Sequence, residues 1–116
     1  MSTPSRIGSV KETRREMISI ARGILNGAIG VVEGAREIAR LRFGSTTSYD
    51  PDVMVFVGID SESDHFPIGD VRNHWSEDAL RVKDEELRSY ETHVTERAFQ
   101  ACESFISRYA KYDDVG

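Results

Sequence analysis

Asp60-x-Glu62-x-Asp64 sets three carboxylates at alternate positions, and His65 adds an imidazole beside them. Oxygen donors at loop positions 1, 3 and 5 open a calcium loop, where they converge on a hard cation. The pattern then departs, with His65 where such a loop needs its glycine and Val71 where it needs a bidentate Glu. This is not an EF-hand. A looser metal site drawn from Asp60, Glu62, Asp64 and either His65 or His74 is the alternative, and its mixed oxygen and nitrogen donors suit Mn, Fe or Zn better than calcium.

Other chemistries find less. Neighbouring carboxylates work as acid and base only where their surroundings push their pKa values apart, and no nucleophile accompanies them here. Ser61 and Ser63 lie close to His65 in sequence but without the Gly-x-Ser-x-Gly turn that exposes a nucleophilic serine. Cys102 has Glu103 next to it, the opposite of the positive surroundings that make a reactive thiolate. The glycines do not form a phosphate loop ending in Gly-Lys-Ser/Thr. The expectation is a non-enzyme without cofactor. In a purely structural reading, Asp60, Glu62 or Asp64 pairs with Arg72, just past the Pro67-x-Gly69 turn, and His65, Phe66 and Trp75 pack beneath. Such an ionic turn fixes how two helices meet.

The acids emerge from an apolar run, Val53-Met54-Val55-Phe56-Val57-Gly58-Ile59. Its β-branched residues suit a buried strand. Asp50-Pro51-Asp52 ahead of it is a helix start: a capping acceptor, Pro at the first helical position and an acid in the first turn. No other segment reads as a strand, and a lone strand leaves its backbone groups unpaired. Residues 51–60 are therefore expected to be helical; the alternative is an α+β chain whose one strand, 53–59, pairs across a dimer.

Around this turn the pattern is helical. Periodicity begins at residue 9 or 10 and runs to Phe43, where Gly44-Ser45-Thr46-Thr47-Ser48 ends it. Gly23, Gly27, Gly30 and Gly34 are spaced 4, 3 and 4, which on a continuous helix gives a stripe roughly 60° wide where another backbone could approach. Gly27 and Gly30 also mark the weak point at which one long helix would become two. Past the turn, Asp70 is placed to cap a short helical stretch through Trp75, Ser76 another at 77–82, and Asp84-Glu85-Glu86 to start a long helix. Leu87, Tyr90, Val94, Ala98, Ala101, Phe105 and Tyr109 then hold one apolar face to about Lys111. His93 falls on the polar side.

The bulk numbers fit one small domain. The chain has 116 residues, 39% hydrophobic and 30% charged, the balance of a globular protein. No run approaches the roughly 20 apolar residues that span a bilayer. No apolar leader segment opens the chain and there is a single cysteine, so a cytoplasmic protein that neither enters a membrane nor forms an internal disulfide is expected. Residues 1–43 carry eight Lys/Arg against four Asp/Glu, net +4; residues 44–116 carry seven against sixteen, net −9. Between Asp50 and Asp70 there are six acids and no Lys or Arg. Such a stretch repels nucleic acid and attracts cationic protein surfaces.

The run Ile59-Asp60-Ser61-Glu62-Ser63-Asp64 with Pro67-x-Gly69, then Arg72 and Trp75, resembles a motif of small bacterial helical proteins, and the resemblance extends from the Gly-rich segment to the C-terminal helix. It implies a bacterial helical domain and transfers no activity and no catalytic residues. The expectation is an all-α domain over 9–112, preceded by a disordered lead (1–8) and followed by a frayed tail (113–116), with long N- and C-terminal helices packed against short ones. Its expected role is to present Asp60, Glu62, Asp64 and Asp70 to a basic protein partner, most concretely as an immunity protein neutralising a cationic toxin. A homodimer through the glycine stripe is a further option.

Overall fold

The computed structural model describes residues 6–115, and side-chain surroundings for 10–111. The fold is all-α: α1 (Arg6–Leu25), α2 (Val31–Leu41), α3 (Pro51–Glu62) and α4 (Glu77–Val115), with 3₁₀ turns at Arg42–Gly44 and Gly69–His74. No strand occurs among the described residues, so the strand alternative for 53–59 does not hold. Residues 1–5 of the expected lead and Gly116 of the expected tail lie outside the described residues; residues 6–8 and 113–115 are helical.

Asp50 opens α3 as expected. Its Oδ1 accepts from the amides of Asp52 (2.8 Å) and Val53 (3.4 Å), and Pro51 takes the first helical position, where no amide proton is missed. The helix then sends Val53, Phe56 and Ile59 into the core. This settles the local ambiguity: a helix pairs its own backbone while still burying β-branched side chains.

The long N-terminal helix is broken in two. Gly27 takes φ +82°, a left-handed conformation that costs glycine little, and the chain reverses over 26–30 through Ile29 N–H to Gly23 O (3.0 Å) and Ala28 N–H to Asn26 Oδ1 (2.9 Å). The four glycines therefore do not form one continuous stripe. Gly27 and Gly30 build the reversal, whereas Gly23 and Gly34 are the close-packing pair. A Cβ on Gly34 would lie 2.5 Å from Ile24 Cδ1, and one on Gly23 2.5 Å from Ile29 Cδ1. Gly30 gives α2 no capping side chain; Glu91 of α4 supplies it, Oε2 accepting from Val32 N–H at 2.9 Å.

Past the turn, Ser76 caps α4, its Oγ accepting from Ala79 N–H at 3.2 Å. Two expectations fail there. Asp70 sits inside the first turn of the 3₁₀ segment without capping it, and Asp84 starts no helix, because α4 is continuous over 39 residues. The apolar face of α4 is as expected: Val94, Ala98, Ala101 and Phe105 are buried, and Leu87, Tyr90 and Tyr109 pack partly buried against them. His93 is exposed.

Helix α1 packs on α2 and α4, and α3 on α2 and α4, so the four helices close a ring around one core. Met17 and Ile24 from α1, Val32 and Ile38 from α2, Phe56 from α3 and Phe105 from α4 are all fully buried there. Trp75 is half-buried and stands outside this core, not anchoring it as its size suggests.

Candidate functional site

The acidic turn follows the C-terminus of α3. Ser63 closes the helix, its N–H donating to Ile59 O (3.0 Å) and Asp60 O (3.2 Å) and its hydroxyl to Ile59 O (2.6 Å). Phe66 N–H returns to Ser63 O at 3.1 Å. Arg36 reaches over from α2 and donates to the carbonyls of Ser63 and Phe66, the latter at 3.0 Å. A cation at a helix C-terminus meets the negative end of the dipole, and here it also satisfies carbonyls the helix leaves free.

The four candidate partner-binding acids divide. Asp60 Oδ1 lies 3.7 Å from Arg36 Nε. Glu62 Oε1 accepts from the Tyr90 hydroxyl at 2.6 Å and lies 3.6 Å from Arg97. Burial, then this bond to Glu62, pushes the Tyr90 phenol well above its ordinary value. Asp64 and Asp70 are exposed, and among the described residues neither has a cation within ion-pair reach.

Arg72 is not the counter-charge of the Asp60–Asp64 acids. It makes a bidentate pair with Asp84 (2.8 and 2.9 Å) and donates to Pro67 O at 3.2 Å. Its hydrogen bonds hold the Asp84 carboxyl below the usual carboxylate value. The cations facing these acids are Arg36 of α2, beside Asp60, and Arg97 of α4, beside Glu62. His65, exposed, lies on the ring of Phe66 with centroids 4.1 Å apart, and Phe66 packs on Tyr90 at 5.9 Å. Phe66 and Pro67 are buried, and Gly69 takes φ +77° at the bend. Trp75 takes no part in this stack.

The metal alternative draws on Asp60, Glu62, Asp64 and His65 or His74. Asp60 is directed to Arg36, Glu62 to Tyr90 and Arg97, and His65 to Phe66; among the described residues no three His, Cys, Asp or Glu gather as a cation needs. The Ser63 hydroxyl is committed to Ile59 O, and Cys102 is buried, its thiol pushed up to about 12 by burial and then by Glu103 and Asp52.

A second charged centre lies at the other end of α3. The Asp50 carboxylate receives both terminal nitrogens of Arg108 (2.6 and 2.7 Å) and the Tyr109 hydroxyl (2.7 Å), in addition to its two capping amides. Asp52 joins from the solvent side. Burial alone would raise the Asp50 pKa; the bonds from Arg108, Tyr109 and the Asp52 amide outweigh it, and the value is lowered. The Asp50 cap was legible in the sequence, its partners on α4 were not. Four of the six acids between Asp50 and Asp70 are thus paired internally, and the stretch clips α3 to α2 and α4. Set against known protein families, curated proteins and solved structures, the chain matches none.

Proposed function

We propose that this domain is a non-enzymatic protein-binding module that presents Asp64 and Asp70 to a basic protein partner, in its most concrete form a cytoplasmic bacterial immunity protein that neutralises a cationic toxin. The observation that carries the reading is a turn pinned from both sides by arginines, Arg36 on Ser63 and Phe66 and Arg72 on Pro67, with two exposed, unpaired carboxylates on it. A turn fixed in advance loses little entropy on binding, and exposed acids speed the approach of a cation. Asp60 and Glu62, each with a partner of its own but still partly exposed, complete the acidic surface. No helix among the described residues is long and apolar enough to cross a membrane.

The test is co-expression with the product of the adjacent gene, followed by association kinetics of the pair. Asp64→Asn with Asp70→Asn is expected to lower the on-rate and flatten its salt dependence, with the off-rate little changed. A partner that binds the doubly neutralised variant as fast as wild type at low salt, or no partner at all, sinks the reading.

A further inference from the structure

From Val53 to Ile59 helix α3 is apolar all the way round. Val53, Phe56 and Ile59 fill the core, and Val55 and Val57 are half-buried against it. The outward stripe is Pro51, Met54 and Gly58, which border an open groove shared with Val55, Glu62 and Arg97. Met54 is 43% exposed. One turn on, a Cβ at Gly58 would meet no atom within 4 Å. A helix apolar over this much of its circumference is ordinarily covered.

We propose that a second copy of the chain covers it, α3 against α3, antiparallel about a two-fold axis. The shape argument is self-complementarity. Antiparallel pairing centred between the two positions lays the Met54 of one protomer over the Gly58 notch of its partner, and the reverse, so one contact is made twice. Parallel pairing sets Met54 on Met54 and leaves notch facing notch. The charge argument agrees. Glu62 with Arg97 lines one end of the groove, and next to Pro51 beyond the other end Asp52 pairs with Arg108, in each case an acid on α3 and a base on α4. In a chain of net charge −5 each end of this face sets a base beside its acids, so a copy is not strongly repelled. Antiparallel pairing also sets each end against the opposite end of the partner, where acid can meet base and the helix dipoles oppose. A strongly basic partner would instead meet Arg97 and Arg108 at both rims.

One helix stripe is a small interface, so the dimer is weak, with a dissociation constant of about 10–100 µM. Sedimentation of the whole chain from 10 µM to 1 mM, as about a hundredfold range bracketing that constant, should show mass rising from monomer to dimer. Gly58→Leu fills the notch and should raise the dissociation constant about tenfold or more, without lowering the melting temperature, because the space above Gly58 is open. Met54→Cys mixed with Gly58→Cys should form a mixed disulfide faster than either alone, since like residues are offset by about 6 Å along the helix axis. A monomer at 1 mM, or a dimer indifferent to Gly58→Leu, overturns the proposal. So does a monomer whose Gly58→Leu variant loses the adjacent gene product, which would give the stripe to that partner. The Asp64 and Asp70 variants are not expected to alter the mass, so this proposal and the binding reading fail separately.

Discussion

Replacing Arg108 with alanine strips the Asp50 carboxylate of two charge-assisted hydrogen bonds and leaves it with two backbone amides and the Tyr109 hydroxyl. The Asp50 side chain is 3% exposed, so water cannot freely replace what is lost. Breaking a buried ion pair from one side costs about 3–5 kcal/mol. Arg108 itself is 42% exposed and its removal admits some solvent, which sets the expectation at the lower end, about 3 kcal/mol. For a chain of this size that is a fall of about 10–15 °C in melting temperature. Asp50→Ser should be much milder, about 1 kcal/mol, because serine still caps α3 and the released Arg108 keeps Asp52 and water. The double variant should then be no less stable than Arg108→Ala alone, since the stranded charge is gone. Urea unfolding of the four proteins followed by circular dichroism measures this cycle. Equal costs for the two single variants, adding in the double, would refute the reasoning. The pH dependence has a fixed sign. The Asp50 pKa is lowered in the folded state, so its contribution is complete above the ordinary value of 3.8 and disappears as pH falls through the lowered one. In Arg108→Ala burial acts with less opposition and favours the protonated form, so the gap between variant and wild type should narrow on going from pH 7 towards pH 3.

Three further outcomes are expected. Gly34→Ala should destabilise by about 1–3 kcal/mol because its methyl group would meet Ile24, which is buried and would have to repack within the core, whereas Gly58→Ala should stabilise by up to about 1 kcal/mol in open space; chemical denaturation compares them. Cys102 should resist a thiol reagent at pH 8 in the folded protein and react at once in urea, since its thiol is pushed up to about 12. Glu91→Leu should speed amide exchange at Val32 and cost about 1 kcal/mol by orphaning that N–H, while Glu91→Gln, which retains an acceptor, should change little.

Much of the fold was legible because it rests on local rules. The Asp50-Pro51 start of α3, the Ser76 cap and the apolar face from Leu87 to Tyr109 depend only on residues within a few turns of each other, and the structure has all three. The errors share one cause. The glycine spacing fitted a continuous stripe, but a positive φ at Gly27 reverses the chain and separates Gly23 from Gly34, which then meet across two helices through Ile24 and Ile29. Asp84 looked like a helix start because acids gather there; its carboxylate instead holds Arg72, and α4 runs on through it.

The candidate site divides the same way. Types and spacing alone singled out the acidic turn and its Pro67-x-Gly69 bend, because these are properties of a short segment. Which cation faces which acid was decided by helix packing. Arg36 lies 24 residues before Asp60, and Arg108 lies 58 beyond Asp50; no local spacing links either pair. Charge attraction in a sequence has no direction, so the nearest arginine, Arg72, was the natural guess. The register of α2 and α4 against α3, set by buried Phe56, Ile38 and Phe105, supplies the direction. The sequence by itself determined the helices and their caps, since a helix completes its backbone bonds locally; only the tertiary structure decided that Asp60 pairs with Arg36 and Glu62 with Tyr90 and Arg97 while Asp64 and Asp70 have no cation beside them among the described residues, since that depends on which side chains the packed core brings within a few ångströms.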